Sequence, residues 1–408
     1  MHPIQVMRYV PTSQHHAKMF PSPPPPNQQS AVTCISRSPG TNLGVTGSAP
    51  LPLPISADQV LVRTVAVAIN PCDWKMPDNF PCIGSIGGSD FAGTIVVLGT
   101  GVQASHPELN VGDRVCGAVH GFDPANLAGG CFSEYVAATA DILLKIPNDV
   151  SWEEAAAIGG TSIATLGIVF FEHLKLGFPP PAAHHKPWSI PCSRLWRWDR
   201  HRDYGDSIIK SGLPHVLTIL ILRRTNSLGL RPLAVCSSQS ARLAVSYGAE
   251  KTFDYNDSSC SADIKHYTRG RLAHVVDIIA NSDSLKLCYD AMGRLGGTYV
   301  GLELLPDEKP KRQLIKPSWV MGQTVFGKEL LLGEPYGRPA MAGHRELGKK
   351  WFAEVQGLWH RKVIRSHPVR VGPDVGLHAI IGGVELLRSG AIAREKLVYY
   401  LQSSEFRI

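Results

Sequence analysis

The sequence predicts an α/β protein: a β-rich domain interrupted by a doubly wound domain with a parallel sheet. Three observations predict it. Short valine-rich runs punctuated by glycine and proline fill residues 57–146. A strand–helix alternation begins at Arg231 and continues to Leu304. A long amphipathic stretch and one apolar strand then close the chain, returning to the first domain.

The elements follow in order. Residues 1–27, with Pro23–Pro26 in a polar setting, read as a disordered leader. Gln28–Pro54 carries short β-like runs. Gln59–Ala68 (QVLVRTVAVA) alternates and is predicted as a strand. Gly88–Val102 reads as strand, turn, strand; Val111–Val115 as a turn into another strand; Cys131–Ala138 as one more. At Ser151 the pattern becomes helical and continues to Leu176, with Ser151 as N-cap and Glu153 and Glu154 in the first turn. Pro179–Pro187 is a linker. Strands are then predicted at Arg231–Ser238, Lys251–Tyr255, Ala273–Ile279 and Gly296–Leu304, and helices at Ser240–Glu250 and Ser284–Met292. Helices at Glu346–Trp359 and Leu377–Arg388 precede a final strand, Arg394–Leu401. The domains are drawn at 28–180, 181–340 and a C-terminal return, 341–408.

Bulk properties narrow the function. Hydrophobic residues make up 44% and charged residues 18%, ordinary for a globular protein. No run of 18 apolar residues occurs and the first 20 residues lack a signal-peptide pattern, so a cytoplasmic protein without a membrane span is expected. None of the nine cysteines forms a C-x-x-C pair, which argues against a structural zinc lobe and a disulfide framework. The net charge is +7, but Trp188–Leu230, with seven Lys/Arg and three Asp/Glu, carries +4 of it. No nucleic-acid partner is expected.

Several motifs, in this order, resemble the medium-chain dehydrogenase/reductase superfamily: Val67–Met76 (VAINPCDWKM), GSDFAGTIVVLGTGV, Val111–Gly117, CFSEYVAA, Ser246–Tyr255, Gly293–Leu302 and the terminal EKLVYYL. INPCDWKM, CSSQS, Glu334–Ala340 (EPYGRPA) and EKLV are most similar to fungal trans-acting enoyl reductases that partner polyketide synthases. The resemblance implies a GroES-like catalytic domain with an inserted Rossmann-like domain. It also implies NADPH-dependent reduction of an α,β-unsaturated thioester borne by the synthase. The protein would be a monomer or homodimer. Cys72 falls where zinc enzymes of the superfamily have a cysteine ligand, but GSDFAG replaces their G-H-E-x-x-G, so no metal is expected. A quinone or enone reductase acting on free molecules, and a catalytically inactive product, stay open beside this reading.

The resemblance also implies roles. Cys72, Asp73, Trp74 and Lys75 would lie beside the nicotinamide, Lys75 stabilising charge on the cofactor or the enolate. Thr165 would stand near nicotinamide and substrate, with Ser162 and Ala164 beside it. Cys236, Ser237, Ser238 and Gln239 follow the second strand of the nucleotide fold. No acid occurs between Leu233 and Glu250 to bind a ribose 2′-hydroxyl, and small hydroxyls with Arg242 suit a 2′-phosphate, which favours NADPH. Tyr255 resembles an adenosine-side contact. Leu302 and Glu303 would pass beside the nicotinamide. Gly322, Gln323, Thr324, Val325 and Phe326 would wall the substrate pocket. Val398 and Tyr399 would close on cofactor or substrate. For each of these, ordinary packing is the competing reading.

One stretch breaks the pattern. Where a glycine-rich phosphate loop belongs, Ser189–Ser207 has one glycine, four arginines and two tryptophans. Bulky side chains there prevent the close backbone approach that a pyrophosphate needs. Arg194–Asp206 can be encoded by codons that, one base out of frame, read V-Y-G-G-G-T-A-T-G-T-M-A. The invariant codons of Trp196 and Trp198 help fix two of those glycines. A frameshift is the expected cause, with Leu213–Asn226 read as translated non-coding sequence. As printed, the chain is expected to bind NADPH weakly or not at all and to have a disturbed first nucleotide-sheet strand.

Overall fold

The computed structural model describes residues 27–177, 207–210, 231–307, 312–392 and 394–402. Residues 1–26 of the leader, the linker Pro179–Pro187, Arg194–Asp206 and Leu213–Asn226 lie outside these residues.

The N-terminal part begins with an antiparallel pair, β1 (Gln28–Cys34) and β2 (Leu43–Pro50). The larger sheet is built on β3 (Gln59–Ala68), a valine-rich strand buried along most of its length and broken only by an exposed Arg63. Beside β3 lie β4 (Asp90–Leu98), then β5 (Arg114–Ala118); β6 (Tyr135–Thr139) pairs with β3, and β7 (Leu143–Lys145) with β5. The expected second strand near Val102 is instead a turn into a short helix, Val102–Ser105. The INPCDW segment runs into α1 (Cys72–Asn79). Pro71 and Pro77 hid this helix; Pro71 suits a helix start, where no amide partner is required.

The helical stretch after Ser151 is three pieces. Ser151 caps α2 (Trp152–Ala157) through a reciprocal capping box with Glu154. Gly159, at φ 72°, resets the chain before α3 (Gly160–Ile168), which runs into a π-helical turn, Val169–His173. Trp152–His173 is apolar and long enough to cross a membrane, but 83% of its most apolar window is buried inside the protein. It is a core element, with Ile163, Leu166, Ile168 and Phe170 packed against Trp351 and Phe352.

The second sheet has six parallel strands: β8 (Ser207–Lys210), β9 (Pro232–Val235), β10 (Lys251–Phe253), β11 (His274–Asp277), β12 (Gly297–Gly301) and β13 (Ile315–Trp319). Their spatial order is β10-β9-β8-β11-β12-β13, all pairs parallel. Numbered within the sheet this is 3-2-1-4-5-6, the doubly wound order of dinucleotide folds. The central place, expected to be disturbed, is filled by the four residues Ser207–Lys210, paired on both sides. Most strands and helices here are one to three residues shorter at their ends than the sequence suggests, whereas the helix expected at Glu346–Trp359 is longer (α4, Ala342–His360). A helix at Leu377–Arg388 (α5) has the expected bounds. The last strand, β15 (Lys396–Tyr400), pairs antiparallel with β3 and parallel with β14 (Val369–Val371), so the end of the chain completes the first sheet.

Candidate active site

The turn after β3 and the loop after β12 meet. Lys75, in the first turn of α1, places its ammonium Nζ 2.6 Å from Glu303 Oε2. Glu303 lies just past the carboxyl end of β12, the edge at which doubly wound sheets bind their ligands. Leu302 donates its amide to the Asp277 carbonyl at 3.0 Å, anchoring this loop to β11. The other Glu303 oxygen accepts from the Tyr336 hydroxyl at 3.3 Å. Burial and that carboxylate raise the phenol above its ordinary range. Around them Tyr336 packs edge-on to Phe80 and Trp319, and the Arg338 guanidinium lies 4.5 Å over the Trp319 ring. Two segments singled out separately in the sequence, 72–75 and 302–303, thus meet at the seam between the two domains, the candidate place for a cofactor cleft.

Beneath the cleft lies a buried polar network. Asp73 Oδ2 accepts the Asn70 amide at 2.7 Å and Oδ1 accepts the Ser89 hydroxyl at 3.0 Å. Burial drives the Asp73 carboxyl up to about 7, and the nearby Asp90 charge adds to it. Burial, then the Asp73 charge, hold the Cys72 thiol well above its ordinary value, so it stays neutral. Trp74 is half-buried against the first-domain core, its ring 5.8 Å from the Lys75 ammonium. Asp90 accepts from the Thr161 amide at 2.7 Å, from Asn70 Nδ2 at 2.8 Å, and from the Lys396 ammonium at 3.2 Å. Lys396 also donates to Asn70 Oδ1.

Thr165 and the predicted pocket wall also meet. The Thr165 hydroxyl donates to the Thr161 carbonyl at 2.9 Å. A Cβ on Gly322 would lie 2.3 Å from Thr165 Oγ1, so only glycine allows this approach. Gly322–Phe326 is a 3-10 turn; Thr324 is buried and hydrogen-bonded to His344 at 2.8 Å, and Val325 fills the core against Gly348. Gln323 and Phe326 line a cavity with His120, Asp123, Lys328 and Glu329. Ser162 and Ala164 are buried, Ala164 within the core cluster.

Cys236–Gln239 follow the carboxyl end of β9. Cys236 is buried, and Ser237 donates to the Ser240 hydroxyl at 3.2 Å. The Ser238 amide donates to Asp254 at 2.9 Å. No acid lies between Leu233 and Glu250 in the sequence, and the carboxylate at this corner arrives instead from the turn after β10. Tyr255 is half-buried against the second-domain core. Val398 and Tyr399 lie in mid-sheet on opposite faces. Val398 packs in the core cluster that includes α3, and the Tyr399 ring lies against Gly372 and Gly383. Among the described residues no three His, Cys, Asp or Glu side chains converge as a metal site.

The fold and cleft define a class, the medium-chain dehydrogenase/reductases: residues 56–148 match the alcohol dehydrogenase GroES-like domain. The chain is similar in fold to a quinone oxidoreductase from Coxiella burnetii (TM-score 0.61, 18% identity, 92% of this chain and 99% of that one). It is likewise similar to mycobacterial Rv1454c, solved with NADPH (TM-score 0.63, 17% identity, 91% and 100%). Nearer relatives narrow the class. The chain is 39% identical to the trans-enoyl reductase ccsC of Aspergillus clavatus, over 90% of this chain and 96% of that protein. It is 38% identical to the trans-enoyl reductase ffsC of Aspergillus flavipes, over 94% and 99%. It belongs to the trans-enoyl reductase family, and is an oxidoreductase by descent.

Proposed function

We propose that this protein reduces an α,β-unsaturated thioester carried by a partner polyketide synthase in the cytoplasm, using NADPH. The observation that carries the reading is the Lys75–Glu303 pair at the carboxyl edge of the parallel sheet, where the two domains share a wall. When bound, NADPH supplies hydride to the β-carbon. The chain's own residues then have three tasks. Lys75, held by Glu303, presents a positive charge to the oxygen on which enolate charge develops. Thr165, fixed between Thr161 and Gly322, shapes the substrate side of the cleft. Ser237, Ser238 and Gln239, with Arg242 on the next turn, offer donors to the adenosine ribose and its 2′-phosphate. Asp254 already accepts the Ser238 amide, so at that corner a phosphate shares its donor with a carboxylate. Alignment and charge stabilisation supply the rate; no covalent nucleophile is required.

Protein made from a transcript that encodes V-Y-G-G-G-T-A-T-G in place of Arg194–Asp206 is expected to oxidise NADPH with an enoyl thioester and not with free quinones. Turnover of quinones alone would move the reading to the free-substrate reductases. Lys75→Met is expected to cut turnover about 100-fold. Because Ser189–Ser207 lacks the glycines expected of a phosphate loop, the spliced transcript across codons 187–235 is the companion measurement. A transcript encoding V-Y-G-G-G-T-A-T-G assigns the activity to that product. One that confirms the printed residues predicts weak or absent NADPH binding, and the activity is then ancestral.

A further inference from the structure

We infer that Lys396 is a positioning residue that holds both walls of the cleft in register through a single buried ammonium group. Its side chain is 4% exposed, and Asp90 is fully buried. One arm runs from Lys396 to Asp90 Oδ2; Asp90 Oδ1 accepts the Thr161 amide, one turn ahead of Thr165 on α3. A carboxylate at a helix N-terminus is favourable and directional, so it sets where the first turn of α3 lies. The other arm runs from Lys396 to Asn70 Oδ1, and the Asn70 amide donates to Asp73, which begins the turn bearing Lys75. Asn70 Nδ2 closes the triangle onto Asp90 at 2.8 Å. Gly160 lets α3 enter this close: a Cβ there would lie 2.3 Å from the Gly117 carbonyl carbon. No other cation is placed within bonding distance of Asp90 among the described residues. Removing the ammonium leaves a buried carboxylate whose donors among the described residues are two amides, and both walls lose their common anchor.

The test uses the full chain. Lys396→Met removes the charge at similar volume. Lys396→Met with Asp90→Asn removes both charges, while the introduced carboxamide can still accept the Thr161 amide and bond to Asn70. Hydrogen exchange is read by segment. The single variant is expected to exchange at least tenfold faster at residues 70–76 and 159–166, with 297–301 in β12 unchanged, and the double variant to restore protection in both. On an enoyl thioester, kcat should fall at least tenfold and KM less than threefold, with recovery in the double variant. Only this kinetic arm rests on the enoyl-reductase reading; absence of turnover in the unaltered protein makes that activity ancestral and leaves the exchange result to decide. Unchanged protection of both segments in Lys396→Met, or loss spread evenly over the chain, overturns the inference. Should Lys396→Met not fold, Asn70→Ser removes the Lys396–Asn70 arm and Asn70's own bond to Asp90 but leaves Lys396–Asp90–Thr161 in place: faster exchange at 70–76 with 159–166 protected supports the two-armed anchor, and equal loss at both refutes it.

Discussion

Two lysine–carboxylate pairs flank the same cleft and have opposite physical characters. Lys75–Glu303 joins the two domains at its mouth, with side chains 37% and 33% exposed. Lys396–Asp90 lies at its base within the first domain, sealed from water. Solvent screens the first pair, so its attraction contributes little to stability, and its charge stays available to a ligand. The second has lost its hydration and must be satisfied by neighbours, so its geometry is rigid and its disruption strongly destabilising. The contrast separates a charge that acts from a charge that holds.

The sharpest way to break this contrast is Lys396→Met. Leaving Asp90 buried and uncompensated is expected to lower unfolding free energy by about 3–5 kcal/mol in urea titrations. Adding Asp90→Asn should recover most of that loss; failure to recover would mean that packing of the lysine stem, not charge, dominates. Gly322→Ala comes next. The new methyl must displace the Thr165 hydroxyl, at a cost of about 1–3 kcal/mol and a raised KM for thioester; an unaltered KM would remove Thr165 from the substrate wall.

Asp73 gives a third test, through pH. Its carboxyl titrates near 3.8 in the unfolded chain and is raised to about 7 by burial in the fold. Between those values the folded protein holds the extra proton. This contribution to stability is full below pH 4 and is lost as pH rises through 7. Asp73→Asn should flatten that part of the profile in melts taken from pH 4 to 8. The smallest effect is expected at the mouth: Lys75→Met or Glu303→Gln should change stability by less than about 1 kcal/mol while turnover collapses. A stability loss as large as that of Lys396→Met would erase the distinction between the two pairs.

Much of the fold was legible because its signals are local. Gln59–Ala68 is a valine-rich run, the Ser151 cap with its acidic first turn is written in four residues, and β9 to β12 follow from strand–helix rhythm. The site was legible in parts. Lys75 and Glu303 were each marked, as were Thr165 and Gly322, but their pairing is tertiary. Asp254 escaped because an acid was sought along the chain after β9, and the structure delivers it from the adjacent strand. Lys396 escaped for a different reason: a lysine heading an apolar strand reads as solvent-facing, and only the sheet pairing turns it inward. Asp90, an acid set among glycines at the start of an otherwise apolar strand, was the signal that could have prompted a search for a buried cation. α1 was missed because two prolines argued against a helix that begins on one of them.

The clamp at Lys396 also has a consequence in time. Its partners Asn70 and Asp90 leave the ribosome more than three hundred residues earlier. Until β15 is made and slots beside β3, the N-terminal β-rich part carries a buried carboxylate with no cation, and the inserted domain must be threaded and compacted in the interval. A nascent chain therefore cannot assemble its cleft piecemeal. Such long-range closure is slow and exposes unpaired sheet edge while it waits. The arrangement ties ripening of the cleft to completion of the chain, and makes any product that stops short of β15 an open, sticky intermediate rather than a smaller enzyme.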